Sequence, residues 1–103
     1  MARPPDEQVF AKDDFRCIYC GYDGRTFNGW ALLQVDHFKP KALGGSDEME
    51  NLVTACVICN HMKGCAPFGT HDEARAAIGM WRDQMRRFWE ERVRPLLPRD
   101  PGN

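Results

Sequence analysis

The chain has 103 residues, of which 43% are hydrophobic and 28% are charged, a composition typical of one globular domain. Its formal net charge is -1 at pH 7, so a nucleic-acid partner has to be held by a local basic patch rather than by the overall charge. No apolar stretch approaches the ~20 residues that cross a bilayer, and the first residues lack a secretory pattern, so we expect a cytoplasmic protein without membrane contact.

The first half of the chain predicts short elements separated by turns. Apolar clusters suggest two strands, and runs of glycine, asparagine and aspartate mark the turns between them. In chain order the predictions are a helix over 6–11, turns over 22–29, a strand over 30–35, a glycine-containing loop over 41–50 and a strand over 51–54. Pro40 cannot continue a strand ladder, so the first strand ends before it.

The second half predicts two helices. The first covers 56–63 and ends at Gly64, since glycine is common just past a helix. The second begins at a capping box, Thr70 to Glu73, and carries an apolar stripe with a 3.6-residue period over about 71–94. This C-terminal helix is amphipathic, and Pro95 ends it.

Four of the five cysteines form two C-x-x-C pairs, namely Cys17 with Cys20 and Cys56 with Cys59. A pair at this spacing can bind one ion, and four sulfurs complete the tetrahedral shell of a structural Zn²⁺. The alternative is a secreted mini-protein with two disulfides, which the lack of a leader, the odd fifth cysteine and the spacing disfavour. We therefore predict a structural zinc site, with Cys65 outside it as a free thiol.

Between the cysteine pairs lies a set of side chains suited to phosphodiester hydrolysis, which needs a base, a divalent cation and ligands for that cation. His37 can be the base near neutral pH. Asp36 and Asn60 offer the oxygen ligands that suit Mg²⁺ or Mn²⁺. Lys63, one helical turn beyond Asn60, is expected to reach a phosphate, and Asn51 to hold the loop that presents His37.

The order of these residues resembles that of the HNH endonucleases. The resemblance covers residues 17–64 and is carried by Cys17-x-x-Cys20-Gly21, Val35-Asp36-His37-Phe38-x-Pro40, Gly44-Gly45-Ser46, Asn51-Leu52 and Cys56-x-x-Cys59-Asn60-x-x-Lys63-Gly64. It implies a single α+β domain over 1–103 of the ββα-metal type, in which two antiparallel strands and a helix surround one catalytic cation. The structural zinc site of four cysteines and the C-terminal helix complete this expected fold.

The resemblance also implies residue roles. It makes His37 the general base, Asp36 and Asn60 the ligands of the catalytic cation, and Asn51 the residue that orients the loop and the base. The last motif position is asparagine rather than histidine, so the chain resembles the H-N-N variant. The neighbouring His61 is rotated by about 100° around the helix, where it contacts a phosphate or solvent.

Together these patterns predict a metal-dependent endonuclease that cuts DNA, as nicks or double-strand breaks, and acts as a monomer or weak homodimer. Lys39 and Lys41 follow His37 and are expected to contact the DNA backbone. The alternative is a non-catalytic zinc module that binds nucleic acid or a protein partner. The arginines of the last helix fit either a solvated face or phosphate contacts, and they are Arg75, Arg82, Arg86, Arg87, Arg92 and Arg94.

Overall fold

The computed structural model describes residues 2–99 of the chain. Its helices and strands are, in order, α1 (Asp6–Lys12), α2 (Phe27–Ala31), β1 (Leu33–His37), β2 (Leu52–Cys56), α3 (Val57–Lys63) and α4 (His71–Phe88). Short 3₁₀ turns at Lys41–Leu43 and Met49–Asn51 lie in the connection between the strands. The predicted α+β fold with two strands followed by a helix is confirmed.

The two strands form an antiparallel hairpin-like sheet with both faces covered. All five residues of β2 are buried because its side chains alternate between two layers. Val53 and Ala55 belong to the core that contains the cysteines, whereas the Thr54 hydroxyl faces α1 and donates to the Val9 carbonyl over 3.3 Å. The register pairs Asp36 with Val53 at the end of the sheet that carries the candidate site.

The predicted strand over 30–35 is wrong in its first half, where the chain is helical. The Thr26 hydroxyl accepts a hydrogen bond from the Gly29 amide over 3.1 Å, which caps α2 and places Trp30 within it. The strand begins only at Leu33 and runs on through His37. The large apolar residues before Leu33 suggested a strand, but the local cap determines the backbone there.

Helix α3 begins directly where β2 ends. Cys56 is its N-cap, and its sulfur accepts a hydrogen bond from the Cys59 amide over 3.4 Å. Gly64 follows the helix with a φ of 53°, a conformation that favours glycine. The predicted helix over 56–63 is therefore confirmed, with Cys56 as its cap.

Helix α4 packs on the cysteine-containing core through Ala74 and Ile78, both fully buried. Half of the predicted capping box is formed: the Glu73 amide donates to the Thr70 hydroxyl over 3.1 Å, but the Glu73 carboxylate accepts from the Gly69 amide over 3.1 Å rather than from Thr70. The α-helix ends at Phe88, and the chain continues as a π-helical turn over Trp89–Val93 and a 3₁₀ turn over Arg94–Leu96. Pro95 lacks an amide hydrogen, so regular α-helical bonding cannot continue through it. Within residues 2–99 no helix is both long and apolar enough to cross a membrane.

Candidate active site

The four paired cysteines gather into one cluster. The sulfur atoms of Cys17, Cys20, Cys56 and Cys59 all lie within 4.8 Å of one another. Sulfurs around a tetrahedral zinc ion, each about 2.3 Å from the metal, lie roughly 3.8 Å apart. The Cys20 and Cys56 sulfurs lie 3.7 Å apart, which fits that shell. All five cysteines are free thiols, so the disulfide alternative is wrong and the four-cysteine set is placed to bind a metal ion.

Backbone hydrogen bonds fix the first cysteine pair against the sheet. The Ile18 amide donates to the Thr54 carbonyl over 3.0 Å, and the Gly21 amide donates to the Cys17 carbonyl over 2.8 Å. Gly21 has a φ of 78°, so the tight turn after Cys20 favours glycine.

The structure brings Asp36, His37 and Asn60 to one cleft. All three line an open cavity of about 300 Å³ where the end of β1 meets α3, and Lys41 lies on its rim. A larger cavity of about 450 Å³ runs along α4, but apart from Asp83 its lining is arginine, methionine and tryptophan, so it lacks a second oxygen ligand and a histidine. The smaller cleft is therefore the candidate active site.

Asp36 is buried at the back of this cleft and has two partners. The Tyr19 hydroxyl donates to its Oδ2 over 2.6 Å, and the Lys63 ammonium lies 3.3 Å from the same oxygen. Burial raises the pKa of Asp36, although both partners act to lower it. Burial and the bond to Asp36 raise the pKa of Tyr19, so this hydroxyl keeps its proton and remains a donor.

Lys63 differs from its predicted position. We expected it to reach a phosphate, but its side chain is 0% exposed and its ammonium contacts Asp36 and the His37 carbonyl, the latter over 3.2 Å. The face of α3 that carries Lys63 packs on β1, so the ammonium points into the protein. The role of Lys63 in nucleic-acid contact is corrected to that of a buried counter-charge for Asp36.

His37 is positioned by an acidic residue from the connecting loop. Its Nε2 lies 2.8 Å from Asp47 Oδ1, and its side chain is 18% exposed. The hydrogen bond with His37 lowers the pKa of Asp47, as does the Lys41 ammonium 3.5 Å away. An ionised Asp47 fixes the ring orientation and favours the tautomer with its proton on Nε2.

Asn51 ties the connecting loop together through three hydrogen bonds to the backbone. Its Oδ1 accepts from the Lys39 amide over 2.8 Å, while its Nδ2 donates to the Lys39 carbonyl over 3.0 Å and to the Ser46 carbonyl over 2.9 Å. Gly45 allows this closure, since a Cβ there would lie 1.7 Å from the Lys39 carbonyl oxygen. The loop that carries Asp47 is thus held against the end of β1.

Asn60 is half-buried on α3, and its side-chain amide is oriented by β1. Its Nδ2 donates to Gln34 Oε1 over 2.6 Å. This bond uses the amide nitrogen and leaves the Oδ1 of Asn60 as the atom available to a cation. The neighbouring His61 is exposed, as its position on the helix predicts.

Three residues of the site were missed by the sequence analysis, namely Tyr19, Gln34 and Asp47. Tyr19 lies inside the first C-x-x-C pair, which is a signal that it sits near the metal centre. The partners of Gln34 and Asp47 depend on how the strands pack and how the connecting loop folds, so no local sequence pattern predicts them. Among the predicted site residues, Lys39 and Lys41 are exposed beside the cleft.

Comparison with known proteins agrees with this geometry. Residues 17–65 match a family described as HNH endonuclease. The chain is also 37% identical over 62 residues to the CRISPR-associated endonuclease Cas9 of Corynebacterium diphtheriae. That alignment covers 59% of this chain but 5% of the relative, so the chain spans only a small part of the curated relative's length. No solved structure matches the chain. Residues 17–65, a little under half of the chain, thus match the HNH endonuclease family, and the chain is similar to it over that range.

Proposed function

We propose that this chain is a metal-dependent endonuclease that hydrolyses phosphodiester bonds in DNA. The observation that carries the proposal is that Asp36, His37 and Asn60 line one open cleft. A base and two oxygen ligands are the groups that such hydrolysis requires at one place. The match of residues 17–65 to the HNH endonuclease family supports the nuclease class, and the name of the relative supports cleavage within a strand.

His37 is the proposed general base. With Nε2–H directed to Asp47, the Nδ1 of the neutral ring has the free lone pair that accepts a proton from water. Asp47 then stabilises the positive charge that the ring acquires. Asn51 supports this function indirectly, because it holds the loop from which Asp47 contacts the His37 ring.

Asp36 and Asn60 are the proposed ligands of a Mg²⁺ or Mn²⁺ ion. Their donor atoms fit a hard cation, since each is an oxygen and each side chain is oriented by another residue. The contacts with Tyr19 and Lys63 do not exhaust the lone pairs of the Asp36 carboxylate. When bound, the cation stabilises negative charge on the scissile phosphate and on the leaving oxygen.

The four-cysteine cluster is the proposed site of a structural Zn²⁺. It joins the turn after Cys17 to the start of α3, which carries Asn60 one residue beyond Cys59. A small core does not by itself hold catalytic groups to the tolerance of about 0.5 Å that a reaction requires. The metal cluster therefore supports the position of the Asn60 ligand.

DNA is the proposed substrate, and the exposed Lys39 and Lys41 are the proposed contacts to its backbone. Both lysines lie beside the cleft, Lys39 within the turn that Asn51 closes. Charged contacts to phosphates position a duplex without reading its sequence. The chain acts as a monomer or weak homodimer, and a two-fold dimer would convert nicks into paired cuts.

Nicking of supercoiled plasmid by the zinc-loaded protein tests this proposal. We expect open-circular product in Mg²⁺ or Mn²⁺ and a loss of about 10²–10⁴-fold in rate for His37→Ala. His71→Ala is the matched control for the loss of an imidazole, since His71 is exposed and its ring packs edge-on against Phe38, with ring centroids 4.5 Å apart, rather than lining the cleft. If DNA binds but neither metal supports cleavage, the non-catalytic zinc module is the better account. Cleavage of RNA but not DNA would correct the substrate.

A further inference from the structure

Two arginines of α4 contact the cysteine-containing segments: Arg82 is half-buried, whereas Arg75 is exposed and reaches the backbone between Cys17 and Cys20. Arg75 and Arg82 are seven residues apart, close to two helical turns, so they share one face of the helix. The same side of α4 buries Ala74 and Ile78 in the core that contains Cys17, Cys56 and Cys59. The part of α4 over 74–82 therefore packs beside the candidate metal centre.

Each arginine contacts a different cysteine pair. The Arg75 Nε donates to the Ile18 carbonyl over 2.6 Å, and Ile18 lies between Cys17 and Cys20. The Arg82 Nη1 donates to the Cys59 sulfur over 3.7 Å, and Cys59 belongs to the second pair. One helix thus bonds to the backbone between Cys17 and Cys20 and to the sulfur of Cys59.

The charge of the cluster gives the Arg82 contact its significance. Four thiolates around one divalent ion leave a net charge of about -2, which a partly buried site has to offset. The Arg82 guanidinium is half-buried beside the cluster, and its bond to sulfur is charge-assisted.

We propose that α4 stabilises the metal centre. Arg82 offsets the charge of the four thiolates, and Arg75 holds the Cys17–Cys20 turn in place. The proposal rests on the structural zinc of the proposed function. If packing of α4 increases the affinity for zinc, then bound zinc stabilises the packed position of α4 by the same free energy. The arginines at 75 and 82 are thereby assigned to the metal centre rather than to DNA.

Zinc retention in competition with a chromophoric chelator tests this proposal at constant pH. We expect Arg82→Gln to weaken zinc affinity about 10- to 100-fold, the usual range for partners of metal ligands. Arg82→Lys keeps the charge and is expected to recover part of the loss. The matched control is Arg87→Gln, which removes the same charge from an exposed position about 140° around the same helix. Arg75→Gln is expected to weaken zinc affinity as well, though less than Arg82→Gln.

A second measurement separates a local effect from a failure to fold. Amide hydrogen exchange in saturating zinc should leave the sheet of Arg82→Gln as protected as in the wild type, whereas zinc removal from the wild type should speed exchange over 74–82. Equal zinc affinity in Arg82→Gln and wild type overturns the proposal, as does unchanged exchange in α4 without zinc. A wild-type chain that binds no zinc would refute the structural zinc itself, which is a distinct outcome.

Discussion

The Tyr19 hydroxyl lies 2.6 Å from Asp36 Oδ2 and joins the cysteine cluster directly to the candidate active site. Tyr19 sits between Cys17 and Cys20, so the turn that supplies two sulfurs also supplies the donor that orients Asp36. This bond spans 17 positions in the sequence and is buried. The turn that carries Cys17 and Cys20 and the carboxylate proposed to bind the catalytic cation are therefore parts of one unit.

Replacing Tyr19 by phenylalanine should separate these two parts. Tyr19→Phe keeps the ring in the core but leaves Asp36 without its closest donor, so we expect nicking activity to fall about 10- to 100-fold. The loss should be accompanied by a higher Mn²⁺ concentration at half-maximal rate. Tyr22→Phe is the control, since Tyr22 is 36% exposed. Unchanged metal dependence in Tyr19→Phe would show that this bond does not position the ligand.

Asp47→Asn tests how His37 is held. The variant keeps an oxygen for the Nε2–H bond but removes the negative charge beside the ring, so we expect the single-turnover nicking rate to fall at least about tenfold. Glu48→Gln removes a charge from the next residue of the same loop and is expected to nick normally. Equal rates for the two variants would contradict a role for Asp47 in orienting the base.

Gly45→Ala should destabilise the fold through one steric contact. An alanine Cβ would meet the Lys39 carbonyl at 1.7 Å, and both groups are backbone, so the loop has to move. We expect the free energy of unfolding in urea to drop by about 1–3 kcal/mol. Gly79→Ala is the matched control, because a Cβ at this helical position meets no atom within 4 Å. There we expect a gain of up to about 1 kcal/mol, so two equal shifts would contradict the account of the loop.

Substitutions of Lys63 and Lys41 should have opposite effects: the first should lower stability and the second should weaken DNA binding. Lys63→Met removes the buried partner of Asp36 and is expected to cost about 3–5 kcal/mol of stability. Lys41→Gln removes an exposed charge beside the cleft, so it should leave stability unchanged and weaken DNA binding. The slope of log binding constant against log salt concentration should become shallower by about 1, because one phosphate contact is lost. Urea unfolding and binding at several salt concentrations measure both. A stable Lys63→Met with weakened DNA binding would restore the phosphate contact that the sequence suggested.

The features that the sequence predicted depend on short-range patterns. The C-x-x-C pairs, the α3 helix with Gly64 at its end and the Thr70 cap each depend on residues within a few positions of one another. The strand start was missed because the side chain of Thr26 caps a helix over residues rich in apolar groups. At this position the hydrogen bond of the cap determines the backbone conformation, although the apolar residues favour a strand.

Long-range contacts explain what the sequence did not predict at the site. His37 and Asp47 are ten positions apart and meet only because Asn51 and Gly45 close the loop. The burial of Lys63 depends on which face of α3 packs on β1, and a helical period alone does not say which neighbour that face meets. The residue types of the site were readable from the sequence, but their partners follow from the tertiary fold.

The most direct test of the central claim is a double-variant comparison of single-turnover nicking rates on supercoiled plasmid with zinc-loaded protein. If His37 and Asn60 act on one phosphate, His37→Ala and Asn60→Ala should each slow nicking by about 100-fold or more. The fold-loss of the double variant should then be much smaller than the product of the two single fold-losses. A His37→Ala protein that nicks at the wild-type rate, or two losses that simply multiply, would contradict the claim that these residues form one active site.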